Sequence, residues 1–226
     1  MEETAQPTGK PNQRVAGAPL PWEDPRTRGL VGLLRTVLLF ITRPDEAFSR
    51  VGRAGLGRPF FYAVLMAWFE TAIFVAYWFV FQFPFVALGL PELDEALAEA
   101  AVGTGLMVVI AMGLFLFIPF LVAIGLAIHT CILHLMLLII GEGRGGFDTT
   151  LRALCYAHTA DLANALPLCG GLISLVWFVA LQIVGIARCH NCSYGKAALA
   201  VFLPILLCCS CLTLVLSVAG VAALAD

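Results

Sequence analysis

Two carboxylates and three histidines fall within stretches of this chain that are otherwise almost wholly apolar: Glu70, Asp161, His129, His134 and His158. An ionised side chain at the centre of a bilayer costs about 2.5–3.5 kcal/mol on insertion scales, so such residues face a bundle interior or a wet cavity. Asn164 and Gln182 extend the polar set. At compatible depths these groups could relay protons, hold a cation, touch a lipid headgroup, or hydrogen-bond one helix to the next; interhelical bonding is the simplest of the four. His158 and Asp161 stand one turn apart and share a helix face. His129 and His134 are five positions apart, about 140° around a helix, and cannot chelate one ion from one face.

The eight cysteines suggest little chemistry. Cys189, His190 and Cys192 offer three soft ligands in one connection, but a closed zinc site takes four and no second pair lies nearby, so no metal is expected. Cys131, Cys155, Cys208, Cys209 and Cys211 sit in apolar stretches, where cysteine acts as a small hydrophobe. Cys169 has no evident disulfide partner. H-E-x-x-H, G-x-S-x-G and P-loop signatures are missing, and the Gly141-x-Gly143-x-Gly145-Gly146 run follows no strand, as a nucleotide fingerprint would require. The expectation is a protein that is not an enzyme and uses no cofactor.

The elements that must position these residues are membrane spans. Apolar residues make up 61% of the chain and charged residues 12%, against roughly 25% charged in soluble domains. Nine of the thirteen bases precede the first long apolar stretch: Lys10, Arg14, Arg26, Arg28, Arg35, Arg43, Arg50, Arg53 and Arg58. Arg144 and Arg152 flank a second connection, and Arg188 and Lys196 bracket a fourth. The intervening connections hold Glu92, Asp94, Glu95 and Glu99 or no charge at all. Bases concentrate on the cytoplasmic side of membrane proteins. The pattern therefore predicts an all-α membrane protein of five spans, with its N-terminus cytoplasmic and its C-terminus outside.

Residues 1–28 lack the apolar stretch of a secretory signal and are expected to form a disordered cytoplasmic tail. Residues 29–58 follow as interfacial helices: about fourteen apolar residues from Gly29 to Thr42 are too few to cross 30 Å of hydrocarbon, and Pro44 then opens a short amphipathic helix. Residues 59–224 form the membrane domain, with spans expected at 59–83, 104–140, 149–168, 170–187 and 197–224. The second is long for one helix and carries Pro119. A hairpin there would invert the later basic loops, so one helix, kinked near the proline, is the consistent reading.

Residues 145–204 resemble the C-terminal part of the YIP family, the Rab-GTPase-interacting five-span proteins and their bacterial relatives. The matching features are Gly146-Phe-x-x-Thr150, Tyr156, Pro167 followed by Gly170 and Gly171, Trp177, Gly185, His190, Ser193, Lys196 and Ala197; upstream, Thr42-x-Pro44-x-x-Ala47-Phe48 fits as well. The resemblance implies a five-helix bundle with a cytoplasmic N-terminus and, in eukaryotes, a role in organising small GTPases and vesicle machinery at the Golgi and endoplasmic reticulum. Eleven arginines against two lysines point instead to a bacterial member in the cytoplasmic membrane. The expected function is a membrane scaffold or adaptor acting through its inner face: Arg43, Arg50, Arg53, Arg58, Arg144, Arg188 and Lys196. Its partners would be the lipid bilayer, other membrane or cytoplasmic proteins, and further copies of itself, but not nucleic acid. The alternative is a small ion or proton channel or transporter using Glu70, Asp161 and His129.

Overall fold

The structure, a computed structural model, describes residues 18–27, 29–52, 55–87 and 93–225. Residues 1–17, Arg28, Arg53 and Glu92 of the sequence expectations lie outside this set. Every regular element among the described residues is helical: α1 (Leu30–Thr42), α2 (Pro44–Ser49), α3 (Gly57–Ala87), α4 (Leu93–Ile140), α5 (Phe147–Ala157), α6 (Gly170–His190) and α7 (Tyr194–Ala225), with short 3-10 helices at Gly143–Gly145 and His158–Ala165.

Four of these helices are long and apolar enough to cross a membrane, over Gly57–Tyr77, Val108–Ile140, Gly170–His190 and Tyr194–Cys211. On α4 the side chains of Leu114, Leu121, Ile124, Ile128, Leu135 and Leu138 are exposed. Leaving so much hydrocarbon uncovered is costly in water and costless in lipid, so the bilayer is the solvent this surface is built for. α4 runs through Pro119 as one helix, and the hairpin alternative falls.

The expected third span, 149–168, is not a continuous α-helix of that kind. It is the 11-residue α5 extended by eight residues of 3-10 helix. A 3-10 helix rises about 2.0 Å per residue against 1.5 Å for an α-helix, so each part covers about 16 Å and the two together match the hydrocarbon thickness. The segment lies along the whole of α6. At one end a side chain on Gly145 would strike the His190 ring; at the other, a Cβ on Gly170 would lie 2.6 Å from the Ala163 carbonyl oxygen. Its hydropathy is modest because protein, not lipid, surrounds it: Thr150, Arg152, Ala153, Leu154, Cys155, Tyr156, Ala157, Thr159, Ala160 and Asp161 are all buried.

Near the ends of the helices that carry the basic connections, an aromatic knot holds the packing. Phe40 of α1 stacks on Tyr156 at 5.3 Å between centroids and meets Phe48 of α2 edge-on at 4.9 Å; Tyr62 of α3 lies 5.0 Å from Tyr156. All four side chains are buried, and pairs of this geometry contribute about 0.5–1.5 kcal/mol beyond their buried area. Phe48 fits because Gly185 has no side chain: a Cβ there would lie 2.8 Å from the ring. Pro44 opens α2 at its first position, where no amide hydrogen is needed. Asn191 ends α6 in the left-handed conformation, and Cys192 N–H donates back to Ala187 O at 3.0 Å.

The expected disordered tail is ordered over residues 18–27. Leu20 and Trp22 are buried. Trp22 N–H donates to Thr36 Oγ1 at 2.9 Å, its indole N–H to Arg58 O at 2.9 Å, and the Arg58 guanidinium to Trp22 O. Three apolar residues, Leu20-Pro21-Trp22, supply enough burial to dock a segment whose composition otherwise reads as disorder.

Candidate functional site

The polar residues inside the spans divide into two groups. In the first group the 3-10 helix determines the arrangement; Asp161 is buried, His129, His158 and Asn164 are half-buried and Glu70 is exposed. In that winding, side chains three residues apart eclipse one another, so His158, Asp161 and Asn164 line up along one edge instead of drifting around the axis as they would on an α-helix. His158 Nδ1 and Asp161 Oδ2 lie 2.8 Å apart, and Asn164 Nδ2 donates to Glu70 Oε1 on α3 at 2.8 Å, with Ser174 Oγ on α6 at 3.4 Å. Tyr62 OH meets Thr159 Oγ1 at 2.7 Å, and Tyr77 OH donates to Ala165 O at 2.5 Å, tying α3 to the same segment.

This edge borders a cleft of ≈ 440 Å³ between α3, α4, the 3-10 helix and α6, lined by Glu70, His129, His158 and Asp161 among its polar groups and by Phe178. The Phe178 ring lies 5.1 Å from His158 and 6.1 Å from His129. At 1.5 Å per residue, Glu70 lies about 20 Å from the start of α3 at Gly57, and His129 about 17 Å from the end of α4 at Ile140. The structure thus gathers Glu70, His129, His158, Asp161 and Asn164, with Glu70 and His129 well inside their helices.

His134 belongs elsewhere. Its Nδ1 lies 3.0 Å from Thr150 Oγ1, which also lies 3.0 Å from His190 Nε2; His190 Nδ1 accepts the Gly145 N–H at 3.2 Å. This chain braces the Gly141–Gly146 connection against the end of α6. It gives His190 a structural task, the family-matching position that sequence offered also as a weak metal ligand. Cys189 is buried with its thiol directed to Phe48 O at 3.9 Å, and Cys192 to Ile186 O at 3.9 Å. Burial pushes the Cys192 thiol pKa up. Among the described residues no three His, Cys, Asp or Glu side chains converge to hold a metal ion.

Most of the bases expected to form an open surface are engaged within the protein. The Arg188 guanidinium forks onto Asp45 of α2, which also accepts from Tyr194 OH. Lys196 Nζ donates to Glu142 Oε1 at 2.5 Å. Arg43 and Arg50 both reach Glu46, Arg152 donates to Gly52 O at 3.0 Å, and Arg58 holds Trp22. The Arg188 guanidinium holds the Asp45 carboxyl below the usual carboxylate range, and Lys196 does the same for Glu142. Arg35 and Arg144 remain exposed. Sequence reasoning missed Glu23, which accepts from Tyr156 OH at 2.7 Å and from Gly52 N–H at 3.1 Å, and also Glu142. Neither stands in an apolar stretch, so no local signal marked it.

Trp177 is half-buried and Pro167 lies in the exposed turn before α6. A family model described as the Yip1 domain matches residues 38–216, most of the chain. The search of curated proteins and the search of solved structures each returned no match.

Proposed function

The chain belongs to the Yip1 domain family and is an integral membrane protein, and from that premise we propose that it acts by assembly, as a non-enzymatic membrane scaffold or adaptor. Its working surface is the face that carries the basic connections. What supports this reading is the way three separate parts of the chain are docked into one platform there. Residues 18–27 dock through Trp22, α2 docks on α6 and α7 through Asp45, and the connection after α4 docks on α7 through Glu142. Such an investment in ordering short polar segments is expected of a recognition surface more than of a mere link between spans.

α1 adds a lipid-facing side to the platform. Gly32, Thr36 and Phe40 are buried, while Leu30, Val31, Leu34, Leu38 and Ile41 form an exposed apolar stripe on the other side. A helix with that pattern lies in the plane of the interface. With α5 and its 3-10 extension counted as a crossing beside α6, the chain makes five passes, and the positive-inside rule puts the platform in the cytoplasm. Partner contact then falls to the exposed bases Arg35 and Arg144, together with Arg43, whose bond to Glu46 is solvent-exposed and weak.

The test is quantitative mass spectrometry of what co-purifies from native membranes in mild detergent. A near-stoichiometric partner should be retained by wild type and lost on Arg35→Glu plus Arg144→Glu, with the thermal midpoint unchanged. Equal recovery from the variant would remove this surface. A second reading, a proton or cation pathway, draws on the cleft lined by Glu70, His129, His158 and Asp161. It requires a flux in liposomes that Glu70→Gln abolishes.

A further inference from the structure

We propose that the cleft between α3, α4, the 3-10 helix and α6 binds an organic ammonium ion, a protonated amine carried on an apolar body. Each of its two carboxylates is held through one oxygen only. Asp161 Oδ2 pairs with His158 and Glu70 Oε1 with Asn164. Among the described residues no donor reaches Asp161 Oδ1 or Glu70 Oε2. The cleft therefore presents carboxylate acceptors beside two imidazoles, His129 and His158, and neither Lys nor Arg lines it. In surroundings of low dielectric, acceptors so placed favour a ligand that donates hydrogen bonds and carries positive charge.

The remaining walls define what the charge is attached to. Leu121, Val122 and Leu126 of α4 supply an apolar side, and the Phe178 ring closes another. An aromatic face within about 6 Å of a cation adds about 0.5–2 kcal/mol. The volume of ≈ 440 Å³ belongs to the range of small-molecule pockets and far exceeds a bare ion. Among the described residues no three His, Cys, Asp or Glu side chains converge as an ion-coordinating set. An alkylammonium satisfies both halves of the cleft: its head meets the free carboxylate oxygens, and its chain meets the leucines and valine. The ammonium could be offered by an ethanolamine headgroup or by a free amphiphilic amine. The site goes beyond the scaffold reading and does not depend on it.

The experiment is equilibrium binding of radiolabelled n-octylamine to the purified full chain in phosphatidylcholine nanodiscs, whose quaternary headgroups cannot donate. Saturable binding near one per chain is expected, with n-octanol a poor competitor. Glu70→Gln and Asp161→Asn should each weaken it at least tenfold, and the distant His134→Gln should not. If Asp161→Asn fails to fold, Glu70→Gln decides alone, its helicity and thermal midpoint serving as controls. Non-saturable uptake, equal competition by octanol, or unchanged affinity in Glu70→Gln would overturn the proposal. Nanodiscs of phosphatidylethanolamine then separate the sources: suppressed octylamine binding supports the headgroup, and undiminished binding supports the free amine. Binding without a matching flux would leave the site standing and remove the transport reading.

Discussion

Gly185 shows how much one residue decides here. A Cβ at that position would approach the Phe48 ring to 2.8 Å, and that ring is buried with Phe40 edge-on against it at 4.9 Å, which limits its room to retreat. Gly185→Ala is therefore expected to destabilise the fold by about 1–3 kcal/mol through overpacking, measured as a lowered thermal midpoint in detergent. Pairing it with Phe48→Leu should recover part of the loss, because the two sites share one contact. If the single variant is neutral, the close packing of α2 on α6 is not what orders this end of the molecule. Sequence alone offered Phe48 and Gly185 as matching positions without a reason; the reason is a contact between residues far apart in the chain, which periodicity cannot report. The same holds for Glu23 and Tyr156.

At the scale of the element, α2 and the 3-10 helix carry the consequences. α2 is only six residues long, too short to persist alone, so its helicity depends on docking. Its Asp45 carboxylate, held below its ordinary pKa by Arg188, contributes stability above the unfolded value near 4; that contribution is lost as pH falls through the depressed folded value. Glu142 has the same sign. The Asp45–Arg188 pair is solvent-exposed, so Asp45→Asn should cost no more than about 1 kcal/mol at neutral pH. Thermal midpoints followed from pH 7 to pH 3 should fall more steeply in wild type than in Asp45→Asn with Glu142→Gln. Parallel curves would show that these carboxylates contribute nothing. Most elements were legible beforehand, because long apolar runs and charged punctuation suffice to locate membrane helices. The 3-10 winding was not, since 3-10 runs beyond three or four residues are uncommon and leave no distinct periodicity in sequence. Yet that winding brings His158, Asp161 and Asn164 onto one edge. The polar cluster was legible as a list of residues, and its separation from His134 only as a consequence of where Thr150 and His190 fall.

Across the whole molecule, the buried third segment determines the topology. Counted as a crossing, it sets the Gly141–Gly146 connection, the turn at Asn191 and the docked residues 18–27 on one side, and the turn at Leu166–Cys169 on the other. The ion pairs between α2, α6 and α7 agree with the first grouping, since Asp45, Arg188 and Tyr194 meet directly. Placing a residue on each side tests this most directly. Leu168 is fully exposed in one turn and Ser193 exposed in the other, so Leu168→Cys and Ser193→Cys, in a background with the native cysteines replaced, can be labelled in sealed vesicles with a membrane-impermeant maleimide. The two positions are expected to react from opposite sides, Ser193→Cys from the cytoplasmic one. Labelling of both from the same side would contradict the five-pass arrangement, and with it the assignment of the platform to the cytoplasm.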